Sequence, residues 1–318
     1  MILSQAEIDG VSLSPWDWEF HPEVWVLVAF LTGAYIYMVR VIGPNAVPEG
    51  VEPVSRKNKW AFGFAMATLW IASDWPMHDI SEEYLYSAHM LQHMMLSFFL
   101  PPLALLATPT WLARVLIGDG KLYNVIRFMA KPVVAGVSFN VIIMVTHIPL
   151  MVNLSVQNGP LHYALHFLVV MLALLMWTPV CGPIPEFQIG PVGKCIYLFL
   201  MSVVPTVPAA WLTFAEGVVY KEYDVPVRVF GWSVEVDQQL AGAIMKTAGG
   251  IFLWAIVVTI WVRHVYGDYK SDQTYRREPG TRFPDAEVSY ADDDPLTTAD
   301  VEAAFASSRP RTESSAEN

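Results

Sequence analysis

The chain has 318 residues, 54% of them hydrophobic and only 15% charged, with a mean hydropathy of +0.39. That composition excludes an ordinary water-soluble domain and makes membrane lipid the first expected partner. A formal net charge of −11 offers no basic surface, so no nucleic-acid partner is expected.

Residues 1–23 contain neither a basic start nor an apolar signal-peptide run. They read as a short outer segment ahead of the first crossing, with Pro15, Trp16, Trp18 and Phe20 suited to the headgroup zone. Seven apolar stretches follow, at 24–42, 60–74, 84–108, 132–151, 160–180, 193–215 and 240–265. Each is long enough, or nearly so, for a helix that needs about 20 residues to cross a bilayer. The expected fold is therefore all-α, a polytopic membrane protein with seven transmembrane helices over residues 24–266. Pro101 and Pro102 in the third stretch, and Pro205 and Pro208 in the sixth, predict kinks or helix ends. Residues 110–131 combine Trp111, Leu112 and Leu116 with basic side chains, the pattern of an interfacial helix. After Gly267 the chain turns polar. Its last 52 residues carry 12 acidic and 6 basic side chains, the composition of a disordered cytoplasmic tail. That tail accounts for −6 of the net charge, so acidity says nothing about a site.

Positive charge orients the bundle, because loops rich in lysine and arginine stay in the cytoplasm. One side holds Arg40, Arg56, Lys57, Lys59, Arg114, Lys121, Arg127, Lys131, Lys194, Arg263, Lys270, Arg276 and Arg277. The other holds only Lys221 and Arg228. The N-terminus is expected outside and the C-terminus inside.

In that topology five histidines share the outer leaflet: His89 and His93 in the third span, His147 in the fourth, His162 and His166 in the fifth. Both pairs have i, i+4 spacing, which sets two imidazoles about 40° apart on adjacent turns and lets them converge on one ion. A single such histidine would be expected to hydrogen-bond between helices. Two pairs and a fifth in one layer point to a metal instead. Imidazole suits copper and zinc, and thioether suits Cu(I). Met90, Met94 and Met95 interleave the first pair, while Met144 and Met151 share a helical face with Asn140 and His147. Asp79, Glu82 and Glu83 with Met77 and His78 precede the third span, where they could funnel a cation or orient imidazoles. Asp74 and Asp237, each at a membrane boundary, are candidates to complete or orient the site. Cys181 and Cys195 match no zinc spacing and imply neither a disulfide nor a thiolate site.

SAHMLQHMML followed by PPLALLATP, then THIP, LHYALHF and DQQLAGAIM, resembles the CtaG family of cytochrome c oxidase assembly factors over roughly residues 20–265. The resemblance implies a non-enzymatic plasma-membrane protein of bacteria that helps mature a copper-containing haem-copper oxidase. It further implies copper handling at the outer face, with oxidase subunits or other copper chaperones as partners. The residues it carries over are His89, His93, His147, His162, His166, Asp237 and Gln238. Lys246 departs from the expected pattern: it is the only ammonium deep within a span, and such a charge costs about 2.5 to 3.5 kcal/mol unless it lines a cavity, pairs or snorkels. A seventh-span lysine also fits a retinal protein, but the third span offers no carboxylate counter-ion. A bis-histidine haem fits i, i+4 pairs poorly. A copper permease or storage protein and a metal-dependent membrane enzyme are the standing alternatives.

The charge distribution makes a testable prediction. In intact cells, membrane-impermeant thiol reagents should label cysteines placed near Glu82 and Asn158 and miss those near Lys57 and Lys121. The reverse labelling would overturn the shared leaflet.

Overall fold

The computed structural model describes residues 6–8, 11–13 and 16–277. Residues 278–318 of the expected acidic tail lie outside the described residues, while its first part, 267–277, continues the last helix rather than being irregular. A short antiparallel ribbon pairs β1 (Ala6–Ile8) with β2 (Val11–Leu13), in the register Glu7 opposite Ser12. Among the described residues after it, the regular elements are all helices, joined by loops. The helices are α1 (Pro22–Ala46), α2 (Arg56–Ser73), α3 (Tyr86–Ala107), α4 (Thr110–Ile117), α5 (Lys121–Met129), α6 (Pro132–Thr146), α7 (Pro149–Gln157), α8 (Gly159–Cys181), α9 (Pro191–Thr213) and α10 (Val234–Arg277). The chain forms two compact units, Met1–Val265 and Tyr266–Asn318; in the second, the described residues are helical.

Among these, α1, α3, α8, α9 and α10 are long and apolar enough to cross a membrane, and α5 with α6 passes as a sixth only as a pair bent by 74°. Helix α2 has 18 residues but begins with Arg56, Lys57 and Lys59, which lowers its apolarity. The protein is thus an all-helical membrane protein. Large apolar side chains such as Phe30, Trp60, Val133, Phe167 and Ile251 face outward, where lipid can cover them.

Three boundaries differ from the sequence reading. The expected fourth span stops at Thr146, because Pro149 cannot continue the helix and opens α7 instead. The expected interfacial segment is two helices, α4 and α5, parted at Gly118, whose φ of 63° ends a helix without strain in glycine alone. The last helix begins at Val234, so Asp237 and Gln238 lie inside its opening turns rather than ahead of it.

The prolines have visible consequences. Helix α9 is interrupted between Val203 and Thr206, around Pro205. In α3 a wider turn at Met95–Phe99 precedes Pro101 and Pro102, neither of which can donate back to Ser97. The freed Ser97 carbonyl accepts the Trp177 indole N–H at 3.0 Å instead, fastening α3 to α8. Around that bond lies the main core, built from Phe98, Phe139, Met176, Trp177, Leu198 and Leu253.

Helices α9 and α10 meet at Gly242, where a Cβ would stand 2.6 Å from the Ala209 carbonyl oxygen and 2.8 Å from the Thr213 nitrogen. Backbone cannot yield as a side-chain tip can. Gly242→Ala is expected to destabilise the purified protein by about 1–3 kcal/mol, the usual cost of overpacking, measured by thermal or denaturant unfolding in detergent. Wild-type stability would show that the helices part freely there.

Candidate metal centre

Helix α3 enters the bundle at Tyr86 under a cap supplied from a distant part of the chain. The Asp237 carboxylate accepts the backbone N–H of Tyr86 at 2.7 Å and of Ser87 at 3.1 Å, and the Ser87 hydroxyl also donates to it. A helix start leaves four N–H groups unpaired, and a carboxylate there also meets the positive end of the helix dipole. The capped helix turns His89 and His93 inward. Helix α8 begins at Asn158, whose side chain accepts from the Leu161 N–H at 3.1 Å, and its opening turns carry His162 and His166.

His147 is the residue on which α6 ends. Its Nδ1 donates to the Ile143 carbonyl at 2.7 Å, which leaves Nε2 buried without a partner. Gln238 holds this residue at one remove. It donates to the Tyr220 carbonyl at 3.0 Å and accepts from the Val219 N–H at 2.9 Å, while the Tyr220 hydroxyl donates to the His147 carbonyl at 2.9 Å.

All five histidines line one cavity of about 20 Å³, room for a single water-sized body. Ring centroids are 4.5 Å apart for His89 and His93, 4.3 Å for His162 and His166, and 4.6 Å for His93 and His166. His89 Nε2 and His93 Nε2 lie 3.0 Å apart. Two donor triads share His166: His89, His93 and His166, and Glu82, His162 and His166, each with its ligand atoms within 4.8 Å of one another. Glu82 Oε1 is 2.8 Å from His162 Nε2 and 3.8 Å from His89 Nδ1, yet neither Oε1 nor His162 Nε2 has the alignment of a hydrogen bond. The Nε2 atom of His166 is likewise buried and unpartnered. Unpaired buried lone pairs cost roughly 1–3 kcal/mol each, and one cation among them satisfies several together. The donor set fits a borderline or soft transition metal.

Thioethers stand alongside. His93 and His147 also line a second cavity, of about 40 Å³, with Met90, Met94, Met201 and Met245. Met94 is 5% exposed. Met144 does not join them. The buried stripe of α6 centres on Ile143, and Met144 lies about 100° around the helix, 38% exposed. Met151 is on α7, past the break at Pro149. Asp74 is buried at the end of α2, where its backbone carbonyl accepts the His78 N–H, and it belongs to neither triad.

Glu82 takes the place expected for Asp74. A wide turn at Ile80–Tyr84 folds the acidic loop back over the histidines. Gln92 anchors that turn, accepting from the Ser81 hydroxyl at 3.1 Å and donating to the Ala72 carbonyl at 2.8 Å. A glutamine inside the apolar HMLQHMML run was the available signal, since it must find polar partners. Lys246 lines the thioether cavity and donates to the Thr206 hydroxyl at 2.6 Å and the Ser202 carbonyl at 3.4 Å, near the break in α9. Cys181 and Cys195 are free thiols.

The sequence model of one family, the cytochrome c oxidase caa3 assembly factors (Caa3_CtaG), matches residues 33–266. No curated protein and no solved structure matches the chain.

The Asp237 cap generates a measurable expectation. Asp237→Ala strands two buried N–H groups and should destabilise the protein by about 2–4 kcal/mol in denaturant unfolding. A loss below about 0.5 kcal/mol would mean that α3 is positioned by packing alone.

Proposed function

The chain belongs to the cytochrome c oxidase caa3 assembly factors, and from that premise we propose that it binds copper at the buried histidine cluster and passes it to an oxidase subunit, directly or through another copper chaperone. The observation that carries this reading is the convergence of five imidazoles on one small cavity, with the Glu82 carboxylate 2.8 Å from His162 Nε2 and four thioethers lining the next cavity. Copper is cargo here. Imidazole and carboxylate accommodate Cu(II) and thioether accommodates Cu(I), so the two adjoining donor sets suit the ion in either state.

We place the protein in a bacterial plasma membrane with seven crossings, N-terminus outside and C-terminus inside. Five apolar helices, the bent α5–α6 pair and the 18-residue α2 support that count, and the lysine and arginine distribution supports the direction. The cluster then opens to the outer leaflet. The assembly-factor family supports a non-enzymatic role. A permease is the nearest alternative. It needs a polar path to the other face, whereas the core beyond the cluster is Phe98, Phe139, Trp177, Leu198 and Leu253.

Replacing His162 and His166 with alanine removes ligands but leaves an apolar helix that still inserts. The loss in copper affinity should exceed the roughly 10- to 100-fold cost of losing one orienting partner. In copper-limited cells, normally expressed double mutant should yield oxidase deficient in copper, rescued in part by added copper through mass action. Fully metallated oxidase under those conditions would refute copper delivery.

A further inference from the structure

At the end of the bundle where α1 begins, a second set of ligand-type side chains converges. His21, His78 and Asp79 bring three donor atoms within 4.8 Å of one another. His21 Nε2 is 2.6 Å from Asp79 Oδ1, and the His21 and His78 rings meet edge to face with centroids 4.8 Å apart. Asp79 is only 8% exposed, and its other oxygen, Oδ2, is buried with no hydrogen-bond partner. A buried carboxylate oxygen left unpaired is costly, and a cation is the partner that two imidazoles and a carboxylate are suited to share. His78 also shares the wall of a cavity of about 660 Å³ with Glu82, His162 and His166. None of the three residues belongs to the deep cluster, and His21 precedes the residues matched by the family.

We propose that His21, His78 and Asp79 form a second metal site, which holds a divalent first-row transition ion on its way to Glu82, His162 and His166. The inference rests on the deeper cluster being a metal site only for the ion's destination. Two nitrogens and one carboxylate oxygen suit Cu(II) or Zn(II) and lack the thioethers that would favour Cu(I). The site therefore collects the divalent ion, and softer donors are met only further in. A plain ion pair tying α1 to the loop would use His21 and Asp79 Oδ1. It would leave Asp79 Oδ2 buried without a partner, and the His78 ring, whose Nδ1 has only a long 3.4 Å contact with the Gln92 amide, edge-on to His21 for no electrostatic gain.

The test uses full-length protein in detergent, titrated with Cu(II) and analysed for bound copper after gel filtration and by electron paramagnetic resonance. The wild type should carry one more copper equivalent than His21→Gln/His78→Gln, and the spectrum should lose one nitrogen-ligated species. Asp79→Asn, nearly isosteric, should lose the same equivalent and decides the matter if the double variant does not fold. A variant lacking His89, His93, His162 and His166 should keep the outer equivalent. Loading of the deep cluster should slow by roughly tenfold without the outer site, as expected when a charged collecting site is removed. Asp79→Asn protein with wild-type copper content and spectrum overturns the proposal and leaves the deep cluster unaffected. Loss of only the deep equivalents in the four-histidine variant supports both sites. A wild type that binds copper at the outer site alone refutes the delivery reading and not this one.

Discussion

Five imidazoles and a carboxylate packed into an apolar bundle are the constraint on which the rest of the structure depends. Inside a membrane there is no bulk water to pair with a ring nitrogen, so each must be satisfied from within the protein or by something bound. The histidines cannot do this for one another. The contact between His89 and His93 occupies one nitrogen of each, and the Nδ1 bond of His147 occupies only one of its two. The histidines surround a space the size of one ion, and the unpartnered Glu82 Oε1 lies 2.8 Å from His162 Nε2 beside it. A bound cation would remove that frustration at a single point, the physical argument for the proposed copper site.

Holding such a cluster requires rigid surroundings, and they come from far along the chain. Asp237 and Gln238 are neighbours on α10, yet one caps the helix that carries His89 and His93 while the other, through Tyr220, fixes the carbonyl of His147. One turn of α10 thus sets the relative position of two ligand-bearing elements. Close approach at Gly242 keeps α10 seated against α9. On the far side, the Trp177 bond to the carbonyl freed by Pro101 and Pro102 locks α3 to α8, the two helices that bear the histidine pairs. The prolines act as joints that expose an acceptor.

Much of this was legible in the sequence, and the misses have physical causes. Long apolar stretches with proline punctuation marked most helices, and i, i+4 spacing marked both histidine pairs. Running the fourth span to residue 151 overlooked Pro149, which puts Met151 on a separate helix, while Met144 fails because it turns about 100° away from the buried stripe of α6. The roles of Asp237 and Gln238 were legible only as candidates, since capping a helix 150 residues away is a tertiary event. Glu82 stood among loop carboxylates that are solvated by default. What brought it inward was a turn anchored on Gln92, a contact that no local pattern encodes. The thioethers of Met201 and Met245 could not be told from core methionines, because Met fills gaps in any apolar interior.

X-ray absorption at the copper edge of purified, copper-loaded protein tests the central claim most directly, because it reads the ligands and not the consequences. Copper held by the cluster should show nitrogen or oxygen neighbours at about 2.0 Å with the multiple scattering of several imidazoles, a signature weakened when His93 and His166 are replaced by alanine. A copper spectrum without imidazole scattering, or one unchanged by those replacements, would contradict a histidine-bound cargo.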